Sequence, residues 1–341
     1  MTIVDHAYAV IMAGGSGTRF WPLSRAARPK QLVRIIADDT MIQATVARLQ
    51  PLIPAERVLV VTTAQLADET RRQLPMIPPQ QIIAEPVGRD TAACVALAAL
   101  AVRRLDPAAT MVLLPADQVI RPVDAFQRAL AAGVQAAQDG ALVTYGIAPR
   151  HPATGYGYIQ IAEALPPLGG CSLHQAKRFV EKPDAATAAR YLADGGYRWN
   201  SGIFTWRADT VLSELTRHCG WLVAALEPVG AAFGTPRFDA ALADAYRDLK
   251  RISIDYALME HAANIRVVTG DFIWDDVGAW DALYDHLPRD AQGVAMRGDA
   301  IAVDCRDSLL FNDGGPLVTA VGLDGITVVA TPDAVLVVPR G

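Results

Sequence analysis

The chain has 341 residues, 52% of them hydrophobic and 20% charged, which suits one large cored domain, or one domain with an appendage, and excludes a disordered chain. Lys plus Arg number 31 against 36 for Asp plus Glu, a net charge of −5. That balance excludes a broad surface for nucleic acid or anionic lipid, so any anion site has to be built locally. The predicted elements begin with "YAVIMA" (8–13), an apolar strand that stops at Gly14. Helical spacing follows in "MIQATVARL" (41–49), a β-rich run in "RVLVVT" (57–62), helical spacing in "AQLADETRRQL" (64–74) and a strand in "QIIAE" (81–85). "TAACVALAALAVRRL" (91–105) is a buried helix whose last turn carries cations, as a helix C-terminus favours. "TMVLLPAD" (110–117) and "ALVTYGI" (141–147) are further strands.

Apolar strands separated by helices predict an α/β fold with a mainly parallel sheet covered on both faces. Ligands of such sheets sit beyond the C-terminal strand ends. Gly14–Gly17, Glu85, Asp117 and Tyr145–Gly146 all follow strands in this way. From about residue 150 the β-rich pieces "GYGYIQI", "AKRFVEKP" and "SGIFTWRA" appear, and helical spacing returns in "ALADAYRDL" and "IDYALMEH". After residue 296 only short β runs remain: "AIAVD", "SLLF", "LVTAVGL", "ITVVAT" and "AVLVVP". Residues 296–341 therefore read as a small all-β appendage, a stacked β coil.

Cys94, Cys171, Cys219 and Cys305 are scattered and form no C-x-x-C pair, so neither a zinc site nor a disulfide framework is expected. The first residues, "MTIVDHAYAV", show no basic segment followed by a long apolar core, and "AACVALAALAV" (92–102) is too short to span a bilayer. A cytoplasmic chain without nucleic-acid or membrane partners is the expectation.

The chemistry concentrates in "AGGSGTRFWPLSRAARPKQL" (13–32). Glycines let successive N–H groups approach an oxyanion without Cβ obstruction. A Walker loop needs Lys-Ser/Thr after its last glycine, and Thr18-Arg19 stands there instead. A dinucleotide fingerprint from Gly15 and Gly17 would need its third glycine at Phe20. What remains is G-G-x-G-x-R followed by P-K, with Arg19 as a forked donor and Lys30 as a point charge.

This combination resembles the signature of sugar-nucleotide pyrophosphorylases, and "FWPLSRAARPKQL" narrows the resemblance to the mannose-1-phosphate guanylyltransferases. The resemblance runs through most of the chain, in order, by "AEPVGRDTAA", "LLPADQVI", "TGYGYI", "FVEKPD", "WNSGIF" and "WDDVGAW". It implies a Rossmann-like nucleotidyltransferase (GT-A-like) domain over 1–290 and a small C-terminal β domain over 296–341, of the short left-handed β-helix kind. It implies Mg²⁺ on Asp117 and Asp276; Asp276 is preferred to Asp275 because the family pattern puts the ligand two residues before the glycine. Arg19, Lys30 and Lys182 become the catalytic cations, the first two toward pyrophosphate and Lys182 toward the sugar phosphate. Ala13, Gly14, Gly15, Gly17 and Thr18, with Glu85, Arg89, Asp90 and Thr91, become the nucleotide site. Gly155, Glu181 and Asn200 become the sugar pocket. GTP and mannose 1-phosphate are the implied substrates, and GDP-mannose and pyrophosphate the products.

Two positions depart from the family pattern: Asp90 stands where Asn is usual, and Gln118 where His is usual. The same chemistry with UTP or dTTP and glucose 1-phosphate therefore stays open. A non-catalytic sensor would have lost a cation or a metal carboxylate, yet all five are present. None of the histidines falls in a recognisable block. Some relatives carry a cupin-type isomerase domain after the β appendage; with Gly341 following "AVLVVPR", no isomerase activity is expected. The appendage is expected to mediate a homodimer.

Overall fold

The computed structural model describes residues 3–15 and 17–340; Ser16, inside the glycine-rich turn, and the terminal Gly341 lie outside the described residues. Two compact units divide the chain. The first takes the residues up to Gly14, Val46–Ala116 and Ile120–Trp274; the second takes Gly15–Thr45, Asp117–Val119 and Asp275 onward. Along the sequence the change of texture falls near residue 296, whereas in space the C-terminal unit also gathers the segment after the glycine turn.

The first unit is built on a nine-stranded sheet among the described residues. Its strands are β1 (Ala7–Met12), β2 (Val58–Thr63), β3 (Ile82–Glu85), β4 (Thr110–Pro115), β5 (Leu142–Ile147), β6 (Tyr158–Leu168), β7 (Cys171–Val180), β8 (Tyr197–Arg207) and β9 (Ile265–Thr269). The spatial order is β3-β2-β1-β4-β8-β5-β9-β7-β6. β1, β2, β3 and β4 pair in parallel, as do β5 and β9. β8 runs antiparallel to β4, β5 and β6, and β7 antiparallel to β6 and β9. Only β7 and β8 oppose the other strands, so the sheet is mixed with mainly parallel strands. The early strands are buried along nearly their whole length and mostly apolar, as suits a sheet covered on both faces.

Helix α1 (Thr91–Leu105) shows why alanine dominates it: every residue from Ala92 to Val102 is buried. It packs on the long helix α2 (Ala208–Ala232). A Cβ on Gly230 of α2 would lie 2.8 Å from Leu100 Cβ, so glycine sets the close approach of the two helices. α2 was not read from the sequence; Cys219 is non-helical within it and Pro228 interrupts its period. "IDYALMEH" forms a π-helical turn over Asp255–Met259 instead of an α-helix.

The second unit is the all-β appendage joined by Gly15–Thr45. Ala300 pairs in parallel with Val318, Arg306 with Asp324 and Leu309 with Thr327, each partner eighteen residues on. Two ladders and an isolated bridge at one repeat make a stacked coil, and an antiparallel hairpin of Ile326–Ala330 with Val335–Pro339 closes it. Trp280 bridges the unit's two parts, edge-on to Phe20 and to Phe311. Arg25–Asp333 (2.8 Å) and Arg28–Asp313 (3.6 Å) ion pairs join the loop to the coil.

Candidate functional site

In the first unit, parallel register brings the ends of β1, β2 and β3 to one edge, with Thr63 opposite Glu85 and Met12 opposite Val61. Ala13 continues β1 by donating its N–H to the Val61 carbonyl. A Cβ on Gly14 would lie 3.5 Å from Glu85 Oε2. Glu85 is 4% exposed, and its Oε1 accepts from the Tyr246 hydroxyl at 2.8 Å. Burial pushes the Glu85 carboxyl up to about 7, opposed by the Tyr246 hydrogen bond.

The rest of the "EPVGRDT" segment is tied to structure. The Arg89 guanidinium donates to the carbonyls of Tyr246 (2.8 Å) and Arg247 (2.9 Å). Asp90, at φ 70°, caps α1 by accepting from the Thr91 N–H. An Asn Oδ1 could accept the same bond, so the departure at Asp90 leaves the cap intact. Thr91 Oγ1 accepts from the Ile254 N–H at 2.8 Å.

A second cluster of the same unit gathers Glu181, Lys182 and Asn200. Lys182 Nζ donates to Glu181 Oε1 at 2.7 Å, and that bond holds the Lys182 ammonium above its usual range. Lys182 itself sits at φ 43°, a backbone region that non-glycine residues seldom adopt. Asn200 is 8% exposed and hydrogen-bonded at both ends of its amide, to Thr144, Gly202 and Asp255. A Cβ on Gly157 would lie 2.6 Å from Glu181 Oε2 and 3.3 Å from Asn200 Cβ, whereas one on Gly155 would meet nothing within 4 Å. Gly157 is thus the glycine brought against Glu181 and Asn200. Asp255 joins the cluster without any sequence signal: its carboxyl is pushed up to about 7 by burial, then by the Glu181 charge.

The second unit gathers the cations and the other carboxylates. A Cβ on Gly17, at φ 45°, would lie 2.7 Å from the Lys30 backbone N, so glycine lets the turn close onto Lys30. Gln31 Nε2 donates to the Gly15 carbonyl at 2.9 Å. Thr18 and Arg19 lie in a single 3₁₀ turn that starts after Gly17. Gly278, the glycine of "WDDVG", has Arg19 Nη1 and the Asp276 carboxylate 3.3 to 3.6 Å from its would-be Cβ. Lys30 Nζ donates to Asp117 Oδ2 at 3.2 Å and also to the Asp276 carbonyl. Asp275 accepts from the Val277 N–H at 2.7 Å, and His286 Nε2 lies 3.1 Å from its other oxygen. Asp275 Oδ1 is engaged locally, and the largely enclosed His286 side chain lies beside the other oxygen.

The donor set fits Mg²⁺. Asp117 and Asp276 are hard oxygen donors of the kind Mg²⁺ takes, and Lys30 Nζ, bonded to the Asp117 carboxylate and the Asp276 carbonyl, holds the two residues to one place. Among the described residues no group of three or more His, Cys, Asp or Glu is placed to hold a metal ion. Mg²⁺ commonly takes one or two carboxylates and completes its shell from phosphate and water.

Among the described residues, no helix is long and apolar enough to cross a membrane. The nucleotidyl transferase family profile matches residues 8–293. The chain is 42% identical over 335 residues to the xanthan biosynthesis protein XanB of Xanthomonas campestris pv. campestris (strain B100), covering 96% of this chain and 69% of that protein. It is 41% identical over 334 residues to a mannose-1-phosphate guanylyltransferase of Escherichia coli, covering 97% and 70%. A solved structure from Thermus thermophilus, described as a mannose-1-phosphate geranyltransferase, superposes with a TM-score of 0.86 at 36% identity, covering 98% of this chain and 95% of that one. With the glycine turn, its two cations and the acidic pair lying inside the matched segment, the chain belongs to the nucleotidyl transferase family.

Proposed function

We propose that the chain transfers the guanylyl group of GTP to mannose 1-phosphate, forming GDP-mannose and releasing pyrophosphate. The observation that carries this reading is the arrangement of Arg19, Lys30, Asp117 and Asp276, two cations and two carboxylates, in a nucleotidyl transferase. The name of the Escherichia coli relative supports the choice of guanine and mannose. Glu85 supports guanine as well: in its ionised form, above about pH 7, the carboxylate is acceptor-only and suits the N1–H and N2–H donors of guanine, whereas uracil and thymine offer one N–H between two carbonyls.

The nucleophile is an oxygen of the sugar phosphate, already an anion, so the reaction needs no general base. It attacks the α-phosphorus in line; the bond from that phosphorus to the bridging oxygen of the β-phosphate breaks, and the electron pair leaves with pyrophosphate. Arg19 and Lys30 bind the leaving pyrophosphate. Lys182 orients the sugar phosphate, Glu181 and Asn200 serve the ring hydroxyls, and Glu85 serves the base. Mg²⁺, when held by Asp117 and Asp276, supplies charge neutralisation for the phosphates. The protein's contribution is positioning and electrostatic preorganisation.

A pyrophosphate-release assay with GTP, ATP, UTP and dTTP against mannose and glucose 1-phosphates tests the reading. GTP with mannose 1-phosphate should give the highest kcat/KM; a preference for UTP or dTTP with glucose 1-phosphate would refute it. The reading also includes a homodimer in the cytoplasm. The four free, buried cysteines support a reducing compartment, and exposed Val321, Val335 and Val337 on the coil support self-association. Sedimentation velocity on the parent chain and on Val337→Asp tests the dimer.

A further inference from the structure

Asn200 keeps one N–H for a ligand, and the rest of its amide is engaged within the protein. Its Oδ1 accepts from the Gly202 N–H at 3.1 Å and shares the single Thr144 hydroxyl proton with the Ile203 carbonyl, both at 3.2 Å. Its Nδ2 donates to Asp255 Oδ1 at 3.1 Å. The backbone N–H of Gly202 can only donate, so the amide orientation is fixed by the network. One Asn200 N–H remains.

Asp255 is held from several sides. It opens the π-helical turn Asp255–Met259, of which Ala257, Leu258 and Met259 are buried. The preceding Ile254 N–H is anchored on Thr91 Oγ1 at 2.8 Å, and the Ile252 carbonyl accepts from the Ala92 N–H at 3.2 Å. At the far end of the turn, the Glu260 N–H donates to the Asp255 carbonyl, and Glu260 Oε1 accepts the Glu181 N–H at 3.2 Å. One short turn thus fixes Asp255 and the backbone of Glu181 together. The Glu181 carboxylate has one oxygen on Lys182 and the other filling the space beside Gly157. The charges that act on Asp255 are those of Glu181, Lys182 and Asp90.

We propose that Asp255, held by Asn200, is a second acceptor carboxylate of the sugar pocket and binds a ring hydroxyl of the sugar 1-phosphate beside Glu181. A pair of carboxylates, one in this turn and one whose backbone is tied to its end, suits a polyhydroxyl ring, because each, when ionised, can accept a charge-assisted hydrogen bond from a hydroxyl. It also favours a hydroxyl of one configuration over its epimer, because a hydroxyl pointed away leaves the Asp255 oxygen unpaired. This inference rests on the reading of mannose 1-phosphate as a substrate.

The test is calorimetric binding of mannose 1-phosphate and of its 2-, 3-, 4- and 6-deoxy analogues to the parent chain and to Asp255→Asn. The asparagine keeps the shape and an oxygen for Asn200. It should weaken mannose 1-phosphate about 10- to 100-fold, the range of a lost charge-assisted bond, and leave the GTP Kd within about twofold. For one deoxy analogue the loss seen with the parent should vanish in the variant, because the bond is already gone. A structural role would move all analogues alike. If Asp255→Asn keeps the parental loss for every analogue, or weakens GTP as much as the sugar phosphate, the assignment of Asp255 is overturned. If the parent chain itself binds no sugar phosphate, the functional reading falls with it.

Discussion

Replacing Glu85 by glutamine should make the protein more stable and a poorer GTP binder, and the stability gain should depend on pH. Glu85 is almost fully buried, and its carboxyl is raised from 4.5 to about 7, chiefly by burial. At about 1.4 kcal/mol per pH unit, that rise is worth about 3 kcal/mol. Because the folded value lies above the unfolded one, the contribution to stability is fully present below about 4.5, where the group is neutral in both states. It is lost as pH rises through about 7, and above that the folded chain carries a buried charge. Glu85→Gln removes the charge and keeps a carbonyl for the Tyr246 hydroxyl. The variant-minus-parent difference in unfolding free energy should be near zero at pH 4 and reach about 3 kcal/mol in favour of the variant at pH 8. Asp255, raised for the same reason, is common to both chains and cancels in the difference. Urea unfolding of the ligand-free proteins at five pH values reads it directly. GTP affinity should fall in the variant, because an amide presents a donor where guanine also presents one. A difference in unfolding free energy that stays flat from pH 4 to pH 8 would refute the burial argument.

The sequence carried the fold where the signal is local. β1, β2, β4 and β5 are apolar runs ended by turn residues, and α1 is an unbroken alanine-rich helix. The coil strands were legible for the same reason, as short β runs between turns. Partners separated along the chain were not. Tyr246 meets Glu85 across 161 residues, and Arg25 meets Asp333 across 308; neither leaves a pattern in its own neighbourhood. "TGYGY" offers two glycines that alternate with tyrosine, and nothing in the spacing ranks them. The space taken by Glu181 Oε2 singles out Gly157. Asp255 hid in a run with helical spacing, because its partner Asn200 lies 55 residues away and leaves no local pattern. His286 was passed over since it lies outside every recognisable block, beyond the one that holds its partner Asp275.

Four other perturbations separate the remaining roles. Asp276→Asn should abolish pyrophosphate release at saturating Mg²⁺ without unfolding the chain, while Asp275→Asn should lower Tm more than kcat, since Asp275 holds the Val277 N–H and faces His286; a worse kcat for Asp275→Asn would reverse the assignment. Gly157→Ala should displace the Glu181 carboxylate and raise KM for mannose 1-phosphate, whereas Gly155→Ala should be near neutral; equal effects in steady-state kinetics would remove the distinction. Lys182→Ala should raise KM for mannose 1-phosphate about 10- to 100-fold, more than KM for GTP; an equal penalty on both would show that Lys182 does not serve the sugar phosphate. Arg19→Lys tests the opening turn. Arg19 Nη1 and the Asp276 carboxylate lie against the same glycine, Gly278, so the guanidinium sits near Asp276 at the end of the turn. Charge moves onto the β-phosphate only as the bond to the α-phosphorus breaks. A forked donor can follow that charge with two N–H groups, and an ammonium answers it only as a point. The variant keeps the net charge, so ground-state attraction for GTP is retained. The transition state loses a directed donor, which is worth about 10²-fold in kcat where one oxyanion contact is removed. Single-turnover rates with direct GTP titration decide between the two effects. A normal kcat combined with much weaker GTP binding would make Arg19 a binding residue and remove it from the chemistry of the leaving group.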